Sequence, residues 1–236
     1  MTARRSLSIV IPAYNEADNI LDTLENVTAA LAPLPIDAEI LVVDDGSRDG
    51  TGRLVAANAS RFPGVRLLVN ERNLGFGATY RRGVTAATHD YVVMVHGDNA
   101  WGAETLRQFF AHAGDADIIV GYTRNMWQSR PLVRTLMSKT FTLLVNLIVH
   151  RRLKYYNGLQ IHRADVLKKL AIQSTGYGFQ AEVLVKALRL TDTFIEVPMD
   201  LIDRAHGESK AFRAGNAVDV VRTLMRLRAG REAAFR

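Results

Sequence analysis

The fold of this chain is indicated by two stretches near its amino terminus, Ser8-Ile-Val-Ile-Pro-Ala-Tyr-Asn-Glu16 and Leu41-Val-Val-Asp-Asp-Gly-Ser-Arg-Asp-Gly-Thr51. In each stretch, a run of strand-forming apolar residues stops at polar and turn-forming residues. Pro12 lacks the N–H that a sheet ladder needs, and Asn15 suits the N-cap of a following helix. Because ligands of open parallel sheets bind where strands end, the two stretches predict one ligand-binding crevice.

The amino-terminal half of the chain alternates between strand and helix patterns. The predicted strands are Leu7–Pro12, Glu39–Asp44, Val65–Val69, Tyr91–His96 and Ile118–Gly121, and the predicted helices are Glu16–Ala30, Gly50–Ser60, Gly75–Ala87 and Gly102–Ala113. This alternation predicts βαβ units with right-handed crossovers. The continuously apolar strands indicate a sheet covered on both faces, so we expect an α/β fold with a mostly parallel central sheet.

Composition narrows the class of protein. The 236 residues are 48% hydrophobic, which is enough to bury a sizeable core, and include no cysteine. The absence of cysteine excludes disulfides and thiolate metal sites and fits a reducing compartment. The first strand follows Met1 closely without a long apolar signal region, so we expect a cytoplasmic protein.

Positive charge is concentrated in the second half of the chain, and the net charge is +6. No acidic residue lies between Asp117 and Asp165, an interval that contains Arg124, Arg130, Arg134, Lys139, Arg151, Arg152, Lys154 and Arg163. Such a field suits phosphate groups of a nucleic acid, an anionic membrane or a phosphorylated substrate. The strand-end motifs disfavour nucleic acid as the partner.

Two amphipathic helices are predicted in this basic half, at Leu132–Val149 and Ala217–Arg228. The apolar stripe of the first comprises Val133, Leu136, Met137, Thr140, Phe141, Leu144, Leu147 and Ile148. Internal Arg and Lys residues make a membrane span costly, at roughly 2.5–3.5 kcal/mol each near the bilayer centre. Either the helices close the core with solvated basic faces, or they lie in the plane of a membrane surface.

Three strand-end or loop motifs are candidates for ligand binding. Asp44 and Asp45 can accept hydrogen bonds from a nucleotide base or ribose, although an Asp pair can also merely cap a turn. In Asn73-Leu-Gly-Phe-Gly-Ala78, Gly75 and Gly77 allow a tight turn and a close approach of phosphate to a helix amino terminus, or form a plain turn. Asp98 suits a metal that bridges a diphosphate, or is a turn residue.

Together these motifs resemble the GT-A glycosyltransferases of family 2, and within them the polyprenyl-phosphate sugar synthases of the dolichol-phosphate mannose synthase type. The resemblance includes Gly121-Tyr-Thr-Arg124, Gly176-Tyr-Gly-Phe-Gln-Ala-Glu182 and Arg204-Ala-His-Gly-Glu-Ser-Lys210. It implies one GT-A domain over residues 1–236, with a Rossmann-like sheet and carboxyl-terminal amphipathic helices. Residues from about 1 to 100 would bind the nucleotide sugar, and those from about 101 to 236 the acceptor.

The resemblance also implies site residues. Those placed on the base and ribose of the donor are Pro12, Tyr14, Glu16, Asp44 and Asp45. Those placed near the donor diphosphate and the acceptor phosphate are Arg204, Ser209 and Lys210, and those that meet the acceptor phosphate are Arg124 and Arg134. The implied partners are a nucleotide-diphosphate sugar, GDP-mannose-like or a UDP-sugar, and a polyprenyl phosphate.

The metal motif departs from the pattern of the family. Family members usually have Asp-x-Asp-x-Gln where this chain has His96-Gly-Asp98-Asn99-Ala100. The resemblance implies a divalent metal, Mg²⁺ or Mn²⁺, on Asp98 and His96, and a neutral imidazole suits Mn²⁺ better than Mg²⁺. A second departure is Tyr155-Tyr-Asn-Gly158, where the family often has an Asp-containing run.

We therefore expect an inverting, metal-assisted glycosyltransferase, and the nature of the acceptor decides which residues it needs. A phosphate monoester is anionic near pH 7, since its second pKa is about 6, and needs no general base. A soluble hydroxyl acceptor would need one, and Glu182 is the best candidate, although it could equally be structural. A third hypothesis is a non-catalytic sugar-nucleotide-binding protein. With a lipid acceptor, we expect the protein on the inner face of the cell membrane.

Overall fold

The structure, a computed structural model, describes residues 5–125, 132–174, 176, 178–191, 193–200, 222–223 and 225, and of Arg134 the backbone. Its strands are β1 (Arg5–Ala13), β2 (Ile36–Asp44), β3 (Val65–Val69), β4 (Tyr91–Met94), β5 (Ile118–Thr123), β6 (Gln160–Arg163) and β7 (Phe194–Met199). Its α-helices are α1 (Ile20–Leu31), α2 (Thr51–Asn58), α3 (Phe76–Ala86), α4 (Ala103–Phe110), α5 (Leu132–Val149), α6 (Ala164–Lys168) and α7 (Phe179–Ala187), and a 3₁₀ turn at Ala59–Arg61 follows α2.

The strands form one sheet in the order β3-β2-β1-β4-β6-β5-β7. All neighbours pair in parallel except at β6, which runs antiparallel to both β4 and β5. The predicted α/β fold with a mostly parallel sheet is therefore confirmed. The sequence patterns did not predict β6 and β7. Strand β6 has only four residues, and because it runs antiparallel to its neighbours it does not continue the βαβ alternation.

The register brings the carboxyl ends of the first strands to one edge. Ala13 pairs with Asp44, and Asp44 pairs in turn with Val69, so β1, β2 and β3 end level with one another. On the other side of β1, Val10 pairs with Met94, the last residue of β4. The strand ends at which the two opening stretches predict a crevice therefore meet at this edge of the sheet.

Both faces of the sheet are covered, as its apolar strands predicted. Ile9 and Ile11 of β1 point to one hydrophobic cluster, which α1 and α4 close. Val10 points to the other cluster, with α3 and α7. This alternation along a fully buried strand is what a period of two residues produces in a two-sided sheet.

Two predicted boundaries beside the site differ from the structure, one by four residues and one by two. Asn15 is not a helix N-cap, because α1 begins at Ile20 and Asn15 has a left-handed backbone conformation with φ of 55°. The Oδ1 atom of Asn15 instead accepts a hydrogen bond from the N–H of Arg48 at 2.9 Å. The fourth strand ends at Met94, so His96 lies in the loop after β4 rather than in the strand.

Helix α5 presents most of its apolar stripe outward. The buried residues of α5 include Thr135, Thr142 and Val145, and of the predicted stripe only Phe141 and Ile148 pack partly against the core. Seven large apolar side chains, 42–69% exposed, form what we call the outer α5 face: Leu132, Val133, Leu136, Met137, Leu143, Leu144 and Leu147. The interpretation of α5 as a helix whose apolar stripe closes the core is therefore wrong.

In the described part of the chain, no helix is both long enough and apolar enough to cross a membrane. The second predicted amphipathic helix, Ala217–Arg228, lies almost entirely outside the described residues, apart from residues 222, 223 and 225.

Helix α3 packs on β1 and β2 through a glycine, and a side chain there should destabilise the fold. A Cβ on Gly83 would lie 2.3 Å from Cγ1 of Val10 and 3.2 Å from Cγ2 of Val43. We expect Gly83→Val to lower the free energy of unfolding by about 1–3 kcal/mol, measured by urea denaturation. Thr85→Val, at an exposed position of the same helix, is the matched control and should change it by less than about 0.5 kcal/mol. Equal stability of the two variants would contradict the close packing.

Candidate active site

The loops that follow β1 and β2 are joined by four hydrogen bonds of 2.9 Å. In three of them a backbone N–H after β1 donates to a side chain after β2: Asn15 to Ser47, Glu16 to Thr51 and Ala17 to Asp49; in the fourth, Arg48 N–H donates to Asn15 Oδ1. Burial acts to raise the pKa of Asp49, but hydrogen bonds from Thr51 and Ala17 outweigh it and hold that pKa below its ordinary value. An ionised Asp49 is the stronger acceptor, so the two loops form one rigid wall.

Asp45 holds the loop that precedes α3. Its Oδ1 atom accepts hydrogen bonds from Asn70 Nδ2 at 2.7 Å and from the N–H of Leu74 at 2.9 Å, and its Oδ2 atom accepts one from the N–H of Gly75 at 3.0 Å. Gly75 has φ of 86°, which requires glycine, whereas Gly77 is buried in the first turn of α3. The turn expected from these glycines is therefore present, and Asp45 orders it. Contact of Asp45 with base or ribose stays a prediction.

Asp44 lies at the base of the crevice, beside the start of α2. It is 4% exposed, and its Oδ1 atom accepts a hydrogen bond from the N–H of Ser47 at 3.0 Å. A Cβ on Gly52 would lie only 2.4 Å from Oδ2 of Asp44, so α2 passes very close to this carboxylate. Two further residues that are predicted to bind the sugar nucleotide lie on the same wall. Tyr14 is exposed, and Glu16 accepts a hydrogen bond from Asn19 Nδ2 at 3.0 Å. Pro12, the fifth, is buried at the end of β1.

The loop after β4 carries His96 and Asp98, both half-buried. Helix α1 fixes its backbone, since Thr23 Oγ1 donates to Gly97 O and accepts from the N–H of Asn99, both at 3.1 Å. Asn99 has φ of 51° and accepts a hydrogen bond from Asn26 Nδ2 at 2.8 Å. Both sides of Asp98 are therefore held in place by side chains of α1.

The metal-ligating side chains of this loop fit a cation that is bound partly by the protein and partly by a substrate. Among the described residues, no three His, Asp or Glu side chains are grouped so that they could hold a metal ion by themselves. Mg²⁺ bound to proteins commonly has one or two carboxylate ligands and completes its shell with water and substrate phosphates. Asp98 and His96 supply a set of that size.

An aromatic stack, which the sequence did not predict, adjoins this loop. The ring of Phe76 lies parallel to the imidazole of His96, with centroids 5.1 Å apart and planes 9° apart. Phe76 also packs edge-on against Phe179 of α7. The only sequence signal was the position of Phe76 between two glycines of the loop motif, and glycine spacing says nothing about an aromatic neighbour.

The residues predicted to meet the acceptor phosphate are described only in part. Arg124 forms an ion pair with Asp200: Nε donates to Oδ1 at 3.2 Å, and Nη2 contacts Oδ2. The hydrogen bond from Arg124 lowers the pKa of Asp200 below its ordinary value, although both side chains are exposed. Arg204, Ser209 and Lys210, and the side chain of Arg134, lie outside the described residues.

Glu182 lies in a buried ion pair, and both of its carboxylate oxygens accept hydrogen bonds. It is 2% exposed and accepts hydrogen bonds from Lys186 Nζ at 2.6 Å and from the N–H groups of Ser174 at 2.7 Å and Gln173 at 3.1 Å. Burial acts to raise the pKa of Glu182, but these hydrogen bonds outweigh it and lower that pKa. A general base near neutral pH needs the opposite shift, so the geometry favours the structural alternative for Glu182.

A mostly parallel sheet with acidic residues at its strand ends, and a loop suited to a cation beside them, is the arrangement that the resemblance to GT-A glycosyltransferases predicts. Residues 8–173 match the family described as Glycosyl transferase family 2. The chain therefore belongs to glycosyl transferase family 2, and the family predicted from the sequence is confirmed.

Similar proteins fit this assignment. Undecaprenyl-phosphate mannosyltransferase of Micrococcus luteus is 30% identical over 211 residues, which cover 85% of each chain. Polyprenol monophosphomannose synthase of Mycolicibacterium smegmatis is 30% identical over 217 residues, covering 86% of this chain and 79% of the relative. Glucosyl-3-phosphoglycerate synthase from Mycobacterium tuberculosis, solved with Mn²⁺, uridine-diphosphate-glucose and phosphoglyceric acid, superposes with a TM-score of 0.75 at 20% identity, covering 96% of this chain and 81% of that one. The predicted GT-A fold is thus confirmed.

Replacement of Glu182 separates its structural role from a catalytic one. Glu182→Gln leaves the Lys186 ammonium buried without its counter-ion, so we expect it to lower the free energy of unfolding at pH 7 by about 3–5 kcal/mol. The pKa of Glu182 is lower in the folded state than in the unfolded state. The ionised side chain therefore contributes fully to the free energy of unfolding above the ordinary pKa of 4.5, and this contribution disappears as the pH falls through the lower folded value. Urea denaturation at pH 7 and pH 3 should therefore show a smaller difference at pH 3.

The matched control removes both charges. We expect Glu182→Gln combined with Lys186→Met to regain much of the lost stability, because no unpaired buried charge remains. If Glu182 is structural, this double variant keeps its turnover number. Unchanged stability of Glu182→Gln together with lost turnover and intact donor binding would instead identify Glu182 as the base.

Proposed function

We propose that this protein transfers a sugar from a nucleotide-diphosphate sugar to a polyprenyl phosphate, with inversion at the anomeric carbon. The observation that carries the proposal is the crevice at the strand ends, where the loop of Asp98 adjoins the rigid wall formed by the loops after β1 and β2. Two relatives named for polyprenyl-phosphate mannosyl transfer, each 30% identical over most of the chain, support it. GDP-mannose-like donors and UDP-sugars are both candidates.

The donor nucleoside would lie against this wall. Asp44 and Tyr14 face the crevice as acceptor and aromatic surface, and the loop at Gly75 presents backbone to the diphosphate at the start of α3. Because Asp45 and the hydrogen bonds between the loops fix these groups before the donor arrives, little ordering entropy is lost on binding.

We assign a divalent cation, Mg²⁺ or Mn²⁺, to Asp98 and His96. Solved neighbours of the same fold contain Mn²⁺ or Mg²⁺ together with uridine diphosphate. When bound, such an ion supplies positive charge to the leaving diphosphate. The contribution of this chain is to hold the loop of Asp98 in place through Thr23 and Asn26 of α1.

The acceptor phosphate would act as its own nucleophile. One of its oxygens forms a bond to the anomeric carbon while the bond from that carbon to the diphosphate oxygen breaks, so no proton has to move. Arginines orient such an anion through bidentate hydrogen bonds. In this proposal the phosphate takes the place of Asp200 on Arg124, and Arg134, Arg204, Ser209 and Lys210 complete the site. The structural surroundings of Glu182 favour this acceptor over a hydroxyl, which would require a base.

A lipid acceptor also requires access to a membrane, and we propose that the outer α5 face supplies it. Its seven apolar residues occupy one continuous arc of about 140° at roughly 3.6 residues per turn. Lys139, Arg152 and Lys154 are exposed on and after this helix, and the interval contains no acidic residue. An apolar face with a basic border matches an anionic lipid surface, and this match supports the proposal that the protein acts on the inner face of the cell membrane.

Transfer itself is tested with labelled donors. We expect incubation with undecaprenyl phosphate, Mn²⁺ and labelled GDP-mannose or UDP-sugars to move label into the organic phase. Asp98→Ala should reduce the rate at least about 100-fold, since a direct metal ligand matters at least as much as its outer-shell partners. Asp37→Ala, an exposed carboxylate at the opposite edge of the sheet, is the control and should leave the rate unchanged. Absence of transfer with every donor would refute the proposal and favour a binding protein.

Membrane docking is tested by vesicle flotation. We expect Leu136→Glu with Leu143→Glu to weaken binding to phosphatidylglycerol-rich vesicles at least about tenfold, because both side chains would otherwise bury apolar surface in lipid. Ala56→Glu with Ala57→Glu adds the same charge at exposed positions of α2 and should have a much smaller effect. Equal losses in the two double variants would show that charge alone acts, and would contradict a docking role for the outer α5 face.

A further inference from the structure

The imidazole of His96 is held by an aromatic ring from another element. Phe76 begins α3, whereas His96 follows β4, and the two rings are nearly parallel with centroids 5.1 Å apart. Offset parallel stacking of this kind is worth about 0.5–1.5 kcal/mol beyond the area it buries. The contact therefore restricts the orientation of the imidazole plane.

The supporting ring is itself fixed. Phe179 meets Phe76 edge-on at 5.4 Å and 79°, and it meets Tyr80 edge-on at 5.3 Å and 70°. Phe179 and Tyr80 are each 2% exposed, so they have little room to reorient. On its other side, Phe76 follows Gly75, whose N–H is bound by Asp45. The ring of Phe76 is thus fixed by packing from α7 and by the backbone of its own loop.

The orientation of the side chain matters more for a histidine that binds a metal than for an aspartate that does so. A carboxylate presents several lone pairs in its plane, whereas an imidazole nitrogen binds a metal along one direction in the ring plane. Ligating histidines consequently depend on neighbouring groups that fix the ring, and loss of such a group typically reduces metal affinity 10–100-fold. A histidine in the first position of this motif requires support that the usual aspartate does not.

We infer that Phe76 is a positioning residue that aligns the imidazole of His96 as a ligand of the divalent cation. The inference rests on the proposed function, which assigns the cation to Asp98 and His96. It adds that the ligand set of this chain includes an imidazole nitrogen whose direction is set by α3, the helix that also presents its amino terminus to the donor diphosphate. Cation binding and the conformation of the loop that precedes α3 are coupled through this ring contact.

The inference is tested by Mn²⁺ binding in the presence of UDP and, separately, GDP, with free Mn²⁺ measured by electron paramagnetic resonance. We expect Phe76→Leu to weaken Mn²⁺ binding about tenfold, and Phe76→Tyr, which keeps the ring, to restore it. Pulsed spectra of bound Mn²⁺ should show nitrogen modulation in the unaltered protein and in Phe76→Tyr. His96→Asp should abolish that modulation while still binding Mn²⁺.

The decisive comparison repeats Phe76→Leu in the His96→Asp background. If Phe76 acts through His96, the substitution there should change Mn²⁺ affinity less than about twofold, because the aspartate needs no aligned ring. Equal losses in both backgrounds, or no nitrogen modulation in the unaltered protein, would overturn the inference while leaving the proposed function intact. Failure of the unaltered protein to bind Mn²⁺ with either nucleotide would refute the metal assignment itself.

Discussion

Backbone groups that leave a parallel strand lose their ladder partners, and the crevice of this protein depends on how that loss is compensated. The N–H groups after β1 have no strand to bind, and the side chains of Ser47, Thr51 and Asp49 accept their hydrogen bonds. These hydrogen bonds lie in exposed or partly buried surroundings and contribute about 0.5–1.5 kcal/mol each, so together they favour one course of the chain. One wall of the site is therefore held together by hydrogen bonds between backbone N–H groups and side chains, and its shape exists before any ligand binds.

The same principle extends across the sheet to α3 and the loop after β4. Asp45 accepts hydrogen bonds from the chain before α3, and Thr23 of α1 both donates to and accepts from the loop that carries Asp98. In each case a short polar side chain from one element fixes the backbone of another. The groups left to meet a ligand are thus carried on loops that are held at several points, which is how a catalytic site gains precision from a scaffold.

The sequence predicted the features that depend on local pattern. Strands β1–β5 and the crevice followed from apolar runs that stop at turn residues, because a buried parallel strand and its exit loop are encoded in consecutive positions. The pairing of Arg124 with Asp200 could not be predicted, since it joins residues far apart in sequence. The outward face of α5 was also beyond reach, because periodicity reveals that a helix has an apolar face but not what that face contacts. Glu182 lay within a recognisable motif, and only its contact with Lys186 distinguishes an ion pair from a base.

The antiparallel strand β6 has a mechanical consequence. Val120 of β5 pairs with Gln160 of β6, so the chain leaves the sheet after β5 and re-enters it at the same edge, beside the crevice. The segment 124–159, which includes all of α5, therefore leaves the sheet and returns to it at the same edge. Asn146 of α5 also accepts a hydrogen bond from the N–H of Leu153 at 3.0 Å, so the helix is joined to the chain that re-enters the sheet beside the crevice.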